Sequence, residues 1–276
     1  MRIPRVRRTW FSILVILGVG ISIGPYVWTL LTSLKTEDEL FQVPVTYLPQ
    51  VPTFENYVNV FAQNPFGRFI LNSLIVCTVA TTVVLVLGSL AGYAFGRLRF
   101  PGKGPLLLGV LAFSTLPVMS LIVPLYTIVQ GLGWLNSYLG LIIPYVTWTL
   151  PLAVFILTNF FRQISKNLEE SAWIDGATRL GALRHVIAPL SGPGLVSAAT
   201  ITFVNIWNDF LIGFTLVSQR EMRTVTVGIT MYQSEFAFPW GTITAAVSIA
   251  TIPVAILLLF GQRWVTSGLT AGAIKG

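Results

Sequence analysis

The sequence predicts an all-α protein that crosses a membrane six times. Its composition is the first observation: of 276 residues, 54% are hydrophobic and only 10% are charged, and the mean hydropathy is +0.77. A soluble domain carries about 25% charged residues. The second observation is a series of long charge-free gaps, and the third is an uneven distribution of basic residues around them. Together these features indicate that lipid is the main solvent of the chain.

Several other protein classes are excluded by the same composition. The apolar content is too high for a disordered chain, and a single cysteine excludes a disulfide scaffold. The net charge of +7 and the pI near 9.9 could suggest nucleic-acid binding. Nucleic-acid binding needs basic residues gathered on one polar face, and here they are scattered between apolar stretches. We therefore expect no nucleic-acid partner.

The charge-free gaps place the individual spans. Each is longer than the roughly 20 residues that cross a bilayer as a helix. The gap over 104–161 is long enough for two helices and contains the turn sequence Gln-Gly-Leu-Gly-Trp-Leu-Asn-Ser at 130–137. Within a single domain over 1–276, the predicted spans are 10–33, 69–95, 105–129, 138–161, 192–216 and 241–264.

The basic residues predict the orientation. If the N-terminus is cytoplasmic, 13 of the 17 Lys and Arg residues flank the spans on the inside and 4 on the outside. Cytoplasmic flanks carry the excess of basic residues in membrane proteins, so both termini are expected to be cytoplasmic. The first span begins like a signal peptide, after Arg7 and Arg8. It is too long for a signal peptide and lacks a cleavage site before Lys35, which favours a permanent anchor.

Two segments outside the spans are long enough to have their own structure. The outside stretch 34–67 is rich in proline and predicts extended chain with one helix over 54–61. The inside stretch 162–192 predicts two helices. The first has Asn167 as its N-cap and Glu170 at its third position, and it ends at the turn Asp175-Gly176.

The second inside helix is predicted to start near Thr178 and to stop before Pro189. Leu180, Leu183 and Ile187 would share one face of it. Two interpretations of this helix–turn–helix remain open. It is either a docking surface for a cytoplasmic partner or a loop that lies against its own bundle.

Glycines and prolines inside the spans indicate close helix packing. Gly88, Gly92 and Gly96 recur every fourth residue in the second span, and Gly20 and Gly24 do so in the first. Small residues at this spacing let helix backbones approach each other. Prolines kink membrane helices and can open a path between them. They lie within the spans at Pro117, Pro124, Pro144, Pro151 and Pro253.

The sequence offers little catalytic machinery. It has no phosphate-binding loop, because Gly102-Lys103-Gly104 lacks the upstream glycine and the following hydroxyl residue. His185 is the only histidine, no metal-ligand spacing is present, and Cys77 is interpreted as a packing residue. We expect no catalytic residue, metal or cofactor on this chain. The one carboxylate at membrane depth is Asp209, which is either a functional group or a structural hydrogen-bonding group.

Residues 169–177 (Glu-Glu-Ser-Ala-Trp-Ile-Asp-Gly-Ala), followed by Ile-Ala-Pro-Leu at 187–190 and by Pro193, carry a resemblance. They resemble the EAA loop of the permease subunits of binding-protein-dependent ABC importers. The chain as a whole is similar to the MalG-like permeases of carbohydrate uptake. Further similar segments are 72–76, 92–103, 207–210, 262–263 and 268–276. Two positions depart from the usual pattern, Ser171 where alanine is usual and Ser165 where proline is common.

The resemblance implies a type I ABC importer permease fold in a bacterial or archaeal plasma (inner) membrane. It implies four kinds of partner: a second, MalF-like permease, two copies of a cytoplasmic ATPase that bind ATP and Mg, an external sugar-binding protein, and membrane lipid. Asn208 and Asp209 would border the sugar pathway. The residues that would couple to the ATPase are Glu169, Glu170, Ser171, Ala172, Asp175, Gly176, Ala177, Leu180, Leu183 and Pro189.

Other classes of membrane protein remain as alternatives. An ion-coupled secondary transporter or a channel subunit needs titratable or coordinating groups within the membrane and often has an inverted repeat. Asp209 alone is little support for that class, and no repeat is visible. A purely structural membrane subunit is a further alternative.

Overall fold

The computed structural model describes residues 5–234 and 238–271, and within these ranges the chain forms helices and no strand. The α-helices are α1 (Arg5–Ser33), α2 (Glu37–Leu40), α3 (Glu55–Gln63), α4 (Phe66–Arg97), α5 (Lys103–Phe113), α6 (Val118–Gly131), α7 (Tyr138–Gln163), α8 (Lys166–Ile174), α9 (Arg179–Ala182), α10 (Ala188–Leu190), α11 (Gly192–Asn208), α12 (Leu211–Leu216), α13 (Val225–Ile229) and α14 (Trp240–Ala271). A π-helical turn, Leu183–Ile187, joins α9 to α10.

The predicted apolar spans are present as helices. In the described part of the chain, α1, α4, α7 and α14 are each long and apolar enough to cross a membrane. Two further apolar stretches are bent pairs, α5 with α6 at 88° and Arg179–Leu190 with α11 at 81°. Counting each pair as one span gives six, the number that the sequence predicts, although the fifth then covers 179–208 in place of the predicted 192–216.

Two of the predicted spans are wrong as single helices. The span 105–129 breaks at residues 114–117, because the residue before a proline is disfavoured in the helical region and Pro117 is itself extended, with ψ 123°. The span 192–216 breaks at Asp209, which is also extended, with ψ 134°. A new helix, α12, begins two residues later.

The chain divides into two compact units. Of the described residues, the first comprises 5–66, 228–234 and 238–252, and the second comprises 67–227 and 253–271. In the first unit, α3 confirms the helix predicted at 54–61. Its buried Asn56 donates from Nδ2 to the carbonyl oxygens of Ser33 and Lys35, at 3.0 and 2.8 Å. This amide joins α3 to the C-terminal end of α1.

The second unit is organised around close packing of α4 on α7. A Cβ atom added to Gly92 would lie 3.0 Å from Cβ of Leu157 and 3.2 Å from the backbone N of Thr158. Gly88 and Gly96 face α7 in the same way, so the predicted small-residue contact is confirmed for this span. In α1, nothing in the described chain lies within 4 Å of the Cβ positions of Gly20 and Gly24.

Candidate functional site

The turn between α8 and α9 has the geometry that its sequence predicts. Gly176 has φ +85°, a conformation that glycine adopts without a Cβ clash. Its N–H donates to the Trp173 carbonyl at 3.0 Å, and the N–H of Ala177 donates to the Ala172 carbonyl at 2.9 Å. This pair of bonds is a Schellman motif, which satisfies the last carbonyls of α8.

The start of α9 is also as predicted, whereas the start of α8 is not. The Thr178 hydroxyl accepts the Gly181 N–H at 3.1 Å and caps α9. The prediction of Asn167 as the N-cap of α8 is wrong, because the chain is already helical at Lys166. The N-cap is Ser165, whose backbone is extended (ψ 134°) and whose side chain makes no cap bond.

A buried carboxylate attaches α8 to the end of α4. Glu169 accepts a hydrogen bond at Oε1 from the Tyr93 hydroxyl, and its Oε2 lies 3.5 Å from Nε of Arg97. The Arg97 and Glu169 side chains are only 2% and 5% exposed. Nη2 of Arg97 also donates to the Ile164 carbonyl at 2.7 Å, just before α8 begins. Of the residues predicted to couple to the ATPase, Glu169 therefore binds within its own chain.

The predicted apolar face of the second helix is divided by the structure. Leu183 and Ile187 are buried in a cluster that includes Leu157 and Phe161 of α7. Leu180 is 62% exposed. The prediction that these three side chains form one face is therefore wrong. The division falls between Leu180 in α9 and Leu183 at the start of the π-helical turn, whereas Leu183 and Ile187 stay together across that turn.

The predicted stop before Pro189 is also wrong. Pro189 lies inside α10, directly after the π-helical turn. Proline lacks an N–H and its ring needs room beside the preceding turn, and a wider π-helical turn provides that room.

The surface that α8 and α9 leave exposed is mixed in character. Ile174 is 87% exposed, Leu180 lies nearby in the chain, and the guanidinium of Arg179 lies 6.0 Å from the centre of the Trp173 ring. The remaining predicted coupling residues vary in exposure. Glu170, Ser171, Asp175, Gly176 and Pro189 are exposed, and Ala172 and Ala177 are half-buried.

A separate cavity of about 350 Å³ lies where α11 breaks. Asn208 and Asp209 both line it. The other polar lining groups are Ser114, Tyr145, Thr149 and Asn205, and apolar side chains such as Trp148 and Ile206 complete the wall. Hydroxyl, amide and aromatic groups therefore face the same space.

Asp209 has a structural role in this cavity. Its Oδ2 accepts the Tyr145 hydroxyl at 2.9 Å and the backbone N–H of Ile212 at 3.0 Å. The second bond caps the N-terminus of α12, and the first joins the break to α7. The structural interpretation of Asp209 is confirmed, and its side chain still borders the cavity.

The other residues considered from the sequence have modest roles. His185 is exposed and its Nδ1 lies 3.0 Å from the Gly181 carbonyl within its own helix. Cys77 is buried in α4, in agreement with a packing role. Among the described residues, no group of three or more His, Cys, Asp or Glu side chains could hold a metal ion.

Comparison with known proteins decides the family. Residues 84–270 match the sequence profile of the family described as "Binding-protein-dependent transport system inner membrane component". The chain belongs to this permease family. The permease is accordingly a multi-pass protein of the inner membrane, and the matched range includes α8, α9 and the Asp209 cavity.

Curated relatives of the permease are similar over almost its full length. It is 44% identical to the sulfoquinovosyl glycerol transport system permease protein SmoH of Agrobacterium fabrum, over 91% of this chain and 88% of that one. It is 38% identical to the trehalose transport system permease protein SugB of Mycobacterium tuberculosis, over 98% of both chains. It is 37% identical to the trehalose/maltose transport system permease protein MalG of Thermococcus litoralis, over 100% of both.

Solved structures confirm the fold of the permease. It superposes on a chain of a bacterial ABC transporter involved in the import of the acidic polysaccharide alginate with a TM-score of 0.80, covering 94% of this chain and 96% of that one at 19% identity. In the complex of an alginate transporter with its pentasaccharide-bound periplasmic protein, the matched chain gives a TM-score of 0.68 at 15% identity, covering 94% and 95%.

Sequence reasoning missed the internal partners of the site residues. Tyr93 and Arg97 lie in a segment noted only for its resemblance, and nothing local connects them to Glu169, 76 residues beyond Tyr93. Asn205 carried a usable signal, because it precedes Asn208 by three residues and so lies on the same side of α11. Tyr145 had no such signal.

Proposed function

We propose that this chain is one of two permease subunits of an ABC importer that moves a small carbohydrate or glycoside into the cytoplasm. The observation that carries the proposal is the membership of the permease family over 84–270, together with relatives named for trehalose, maltose and sulfoquinovosyl glycerol transport. The chain would act as a single permease domain.

The cavity at the break in α11 supports a carbohydrate as the cargo. Its volume of about 350 Å³ lies in the range of small-molecule sites. Sugars present hydroxyl groups on their edges and C–H groups on their faces. The amides of Asn205 and Asn208 suit the hydroxyl groups, and the ring of Trp148 suits a sugar face.

The exposed surface of α8 and α9 supports docking of a separate ATPase. Ile174 and Leu180 are large apolar side chains that project from a segment with charged neighbours, including Glu170 and Arg179. ATP and Mg would bind to the ATPase, and this chain would have no catalytic residue. A contact of this kind couples the two proteins only if it differs between the two states of the ATPase.

The proposed assembly contains a second, MalF-like permease, two ATPase copies and an external sugar-binding protein. The orientation with both termini in the cytoplasm is supported by the distribution of the 17 basic residues. In that orientation, α8 and α9 lie on the cytoplasmic side, where the ATPase would dock, and residues 34–65 lie on the outer side of the membrane.

The test is reconstitution of the complex from the genes that neighbour this one. In proteoliposomes we expect uptake of labelled disaccharide to require both internal ATP and external binding protein. Uptake driven by an ion gradient without ATP would instead support the ion-coupled class. Ile174→Glu should abolish co-purification of the ATPase, whereas Ile174→Leu, which keeps an apolar side chain, should retain it.

A further inference from the structure

Residues 41–51, which we call segment 41–51, form an exposed apolar stretch between α2 and α3. The segment contains no charged residue. Its Val43 side chain is 89% exposed, and the other large side chains are also mostly exposed. The exposed apolar side chains of the segment are Phe41, Val43, Val45, Tyr47, Leu48 and Val51. Large exposed apolar side chains grouped in one stretch of chain mark an interaction site.

The segment lies beside the membrane-spanning part of α1. The Tyr47 ring packs edge-on against Trp28 of α1, with 6.2 Å between the ring centres. Trp28 precedes Ser33, the last residue of α1, by five residues. At 1.5 Å per residue, the contact lies about 7 Å back along α1 from its end. The chain therefore leaves α1, turns and returns toward the membrane.

A polar cluster holds the segment in this position. The Thr46 hydroxyl donates to Oε1 of Glu39 at 2.8 Å, and the backbone N–H of Gln50 donates to the same oxygen at 2.9 Å. Nζ of Lys35 donates to the Thr46 carbonyl and lies 5.3 Å from the centre of the Trp28 ring. Lys35 and Glu39 are both buried. The charges are thus turned inward and the apolar side chains outward.

The neighbouring surface of α1 is suited to lipid. None of the apolar window within Leu14–Ser33 is buried inside this chain. Tyr26, Trp28 and Leu30 near its C-terminal end are exposed. Tryptophan and tyrosine are enriched at the depth where hydrocarbon meets headgroups. Segment 41–51 continues this surface at the same depth.

We propose that segment 41–51 is an interfacial anchor whose apolar side chains enter the boundary between lipid headgroups and acyl chains. The occupant is lipid and not a protein partner, for two reasons. The Tyr47–Trp28 contact places the segment at a membrane depth that α1 also occupies. The segment also contains no charged residue, and the charged side chains of Lys35 and Glu39 beside it are turned inward, away from the surface that a partner would meet. Docking of the binding protein is the competing outcome of the test.

The experiment is carried out on the assembled transporter in liposomes, with Cys77→Ser as background. Spin labels are placed at Val43→Cys and Leu48→Cys. Leu30→Cys in α1 is the lipid control, and Glu37→Cys, an exposed site in α2, is the aqueous control. The measurement compares collision with oxygen, which partitions into lipid, and with a water-soluble nickel chelate. We expect the labels at 43 and 48 to collide with the two reagents in the same proportion as the label at 30.

Two outcomes overturn the proposal. Labels at 43 and 48 that behave as at 37 would place the segment in water. Protection from both reagents that appears only with added binding protein would assign the segment to protein docking.

A second measurement needs no substitution. A lipid with a photoreactive acyl chain is cross-linked to the wild-type complex, which is then digested with trypsin. Lys35 and Arg68 are consecutive basic residues, so one peptide contains the whole segment. Lipid adducts within 41–51 support the anchor. Adducts in α1 but not in 41–51 contradict it.

Discussion

At the scale of single residues, two adjacent glutamates have opposite surroundings. Glu169 is buried and held by Tyr93 and Arg97, whereas Glu170 is exposed. Removing one charge of a buried ion pair strongly destabilises the protein, because the remaining charge stays buried without a partner. We therefore assign Glu169 to the attachment of α8 to α4 and Glu170 to the docking surface.

The first prediction follows from this pair. Glu169→Gln keeps the size of the side chain but leaves Arg97 without a counter-charge, and should cost about 3 to 5 kcal/mol of stability. Glu170→Gln should leave the thermal midpoint of the permease unchanged and weaken ATPase binding by about 1 to 3 kcal/mol. The measurements are thermal unfolding and co-purification. Equal losses of stability in the two variants would refute the division of roles.

The second prediction concerns Asp209. Asparagine is also a good N-cap, so Asp209→Asn should keep α12 in place and leave assembly and uptake close to normal. Asp209→Ala removes the cap and should cost about 0.5 to 2 kcal/mol. Thermal unfolding and uptake measure both. Loss of uptake in a fully assembled Asp209→Asn transporter would show that the ionised carboxylate is needed.

Residue-level predictions from sequence had a clear limit in this protein. The sequence places Asp209 at membrane depth, where an acidic side chain is a candidate for lining a transport pathway. Its bond to Tyr145, 64 residues away, depends on how α7 packs beside α11. The burial of Glu169 likewise depends on α4. Local patterns describe one helix at a time and carry no information on these long-range contacts.

At the scale of elements, the turn between α8 and α9 is the best-predicted feature. A glycine with positive φ and a threonine cap are local requirements, so the residues alone indicate them. The division of the following apolar face was not predictable in the same way. It depends on packing against α7, which buries Leu183 and Ile187 and leaves Leu180 exposed, and the sequence of the segment alone does not contain that contact.

The third prediction tests the turn at Gly176. Gly176→Ala forces a side chain into the left-handed region and should cost about 1 to 2 kcal/mol. Gly176→Asn should cost less, because asparagine is the other residue that ends helices in this conformation. Stimulated ATP hydrolysis in reconstituted vesicles should fall in the order glycine, asparagine, alanine. Equal activity of all three would show that the turn conformation is dispensable.

The fourth prediction concerns the cluster around Glu39. Burial raises the pKa of this carboxyl, but hydrogen bonds from Gln50 and Thr46, together with the charge of Lys35, outweigh burial and lower the pKa overall. The folded state therefore favours the ionised form. Its contribution to stability is present above the ordinary pKa of about 4.3 and is lost as the pH falls through the lower folded value.

The spin label at Leu48→Cys measures this effect. Its accessibility should stay constant from about pH 8 to pH 5 and change only below about pH 4.3. Glu39→Gln should remove the change. Thr46→Val should release the segment at neutral pH, whereas Thr46→Ser, which keeps the hydroxyl, should not. A transition near pH 6 would assign the effect to a different group.

At the scale of the whole molecule, the number of apolar stretches was predictable and their bends were not. A helix that crosses lipid needs a minimum length without charged residues, and stretches of that length are visible in the sequence. A proline inside a membrane-spanning segment can lie within a continuous helix or stand where the helix breaks. Pro144 and Pro151 lie within the continuous α7, whereas Pro117 stands at an 88° bend. The surrounding packing decides between them.

The fifth prediction is the orientation. In a Cys77→Ser background, Glu37→Cys should react with an impermeant maleimide in intact cells, because 13 of 17 basic residues flank the opposite side. His185→Cys, also exposed, should react only after lysis. The parent without either cysteine is the control for background labelling. The reverse pattern would invert the proposed topology.

Helix α1 also has a consequence for biogenesis. None of its apolar window is buried inside this chain, so its insertion does not depend on packing against a later helix of the chain. A nascent chain that has exposed only α1 to the translocon already holds a segment able to partition into the bilayer on its own. During synthesis, α1 is therefore able to tether the ribosome-bound chain to the membrane before α4 has been translated.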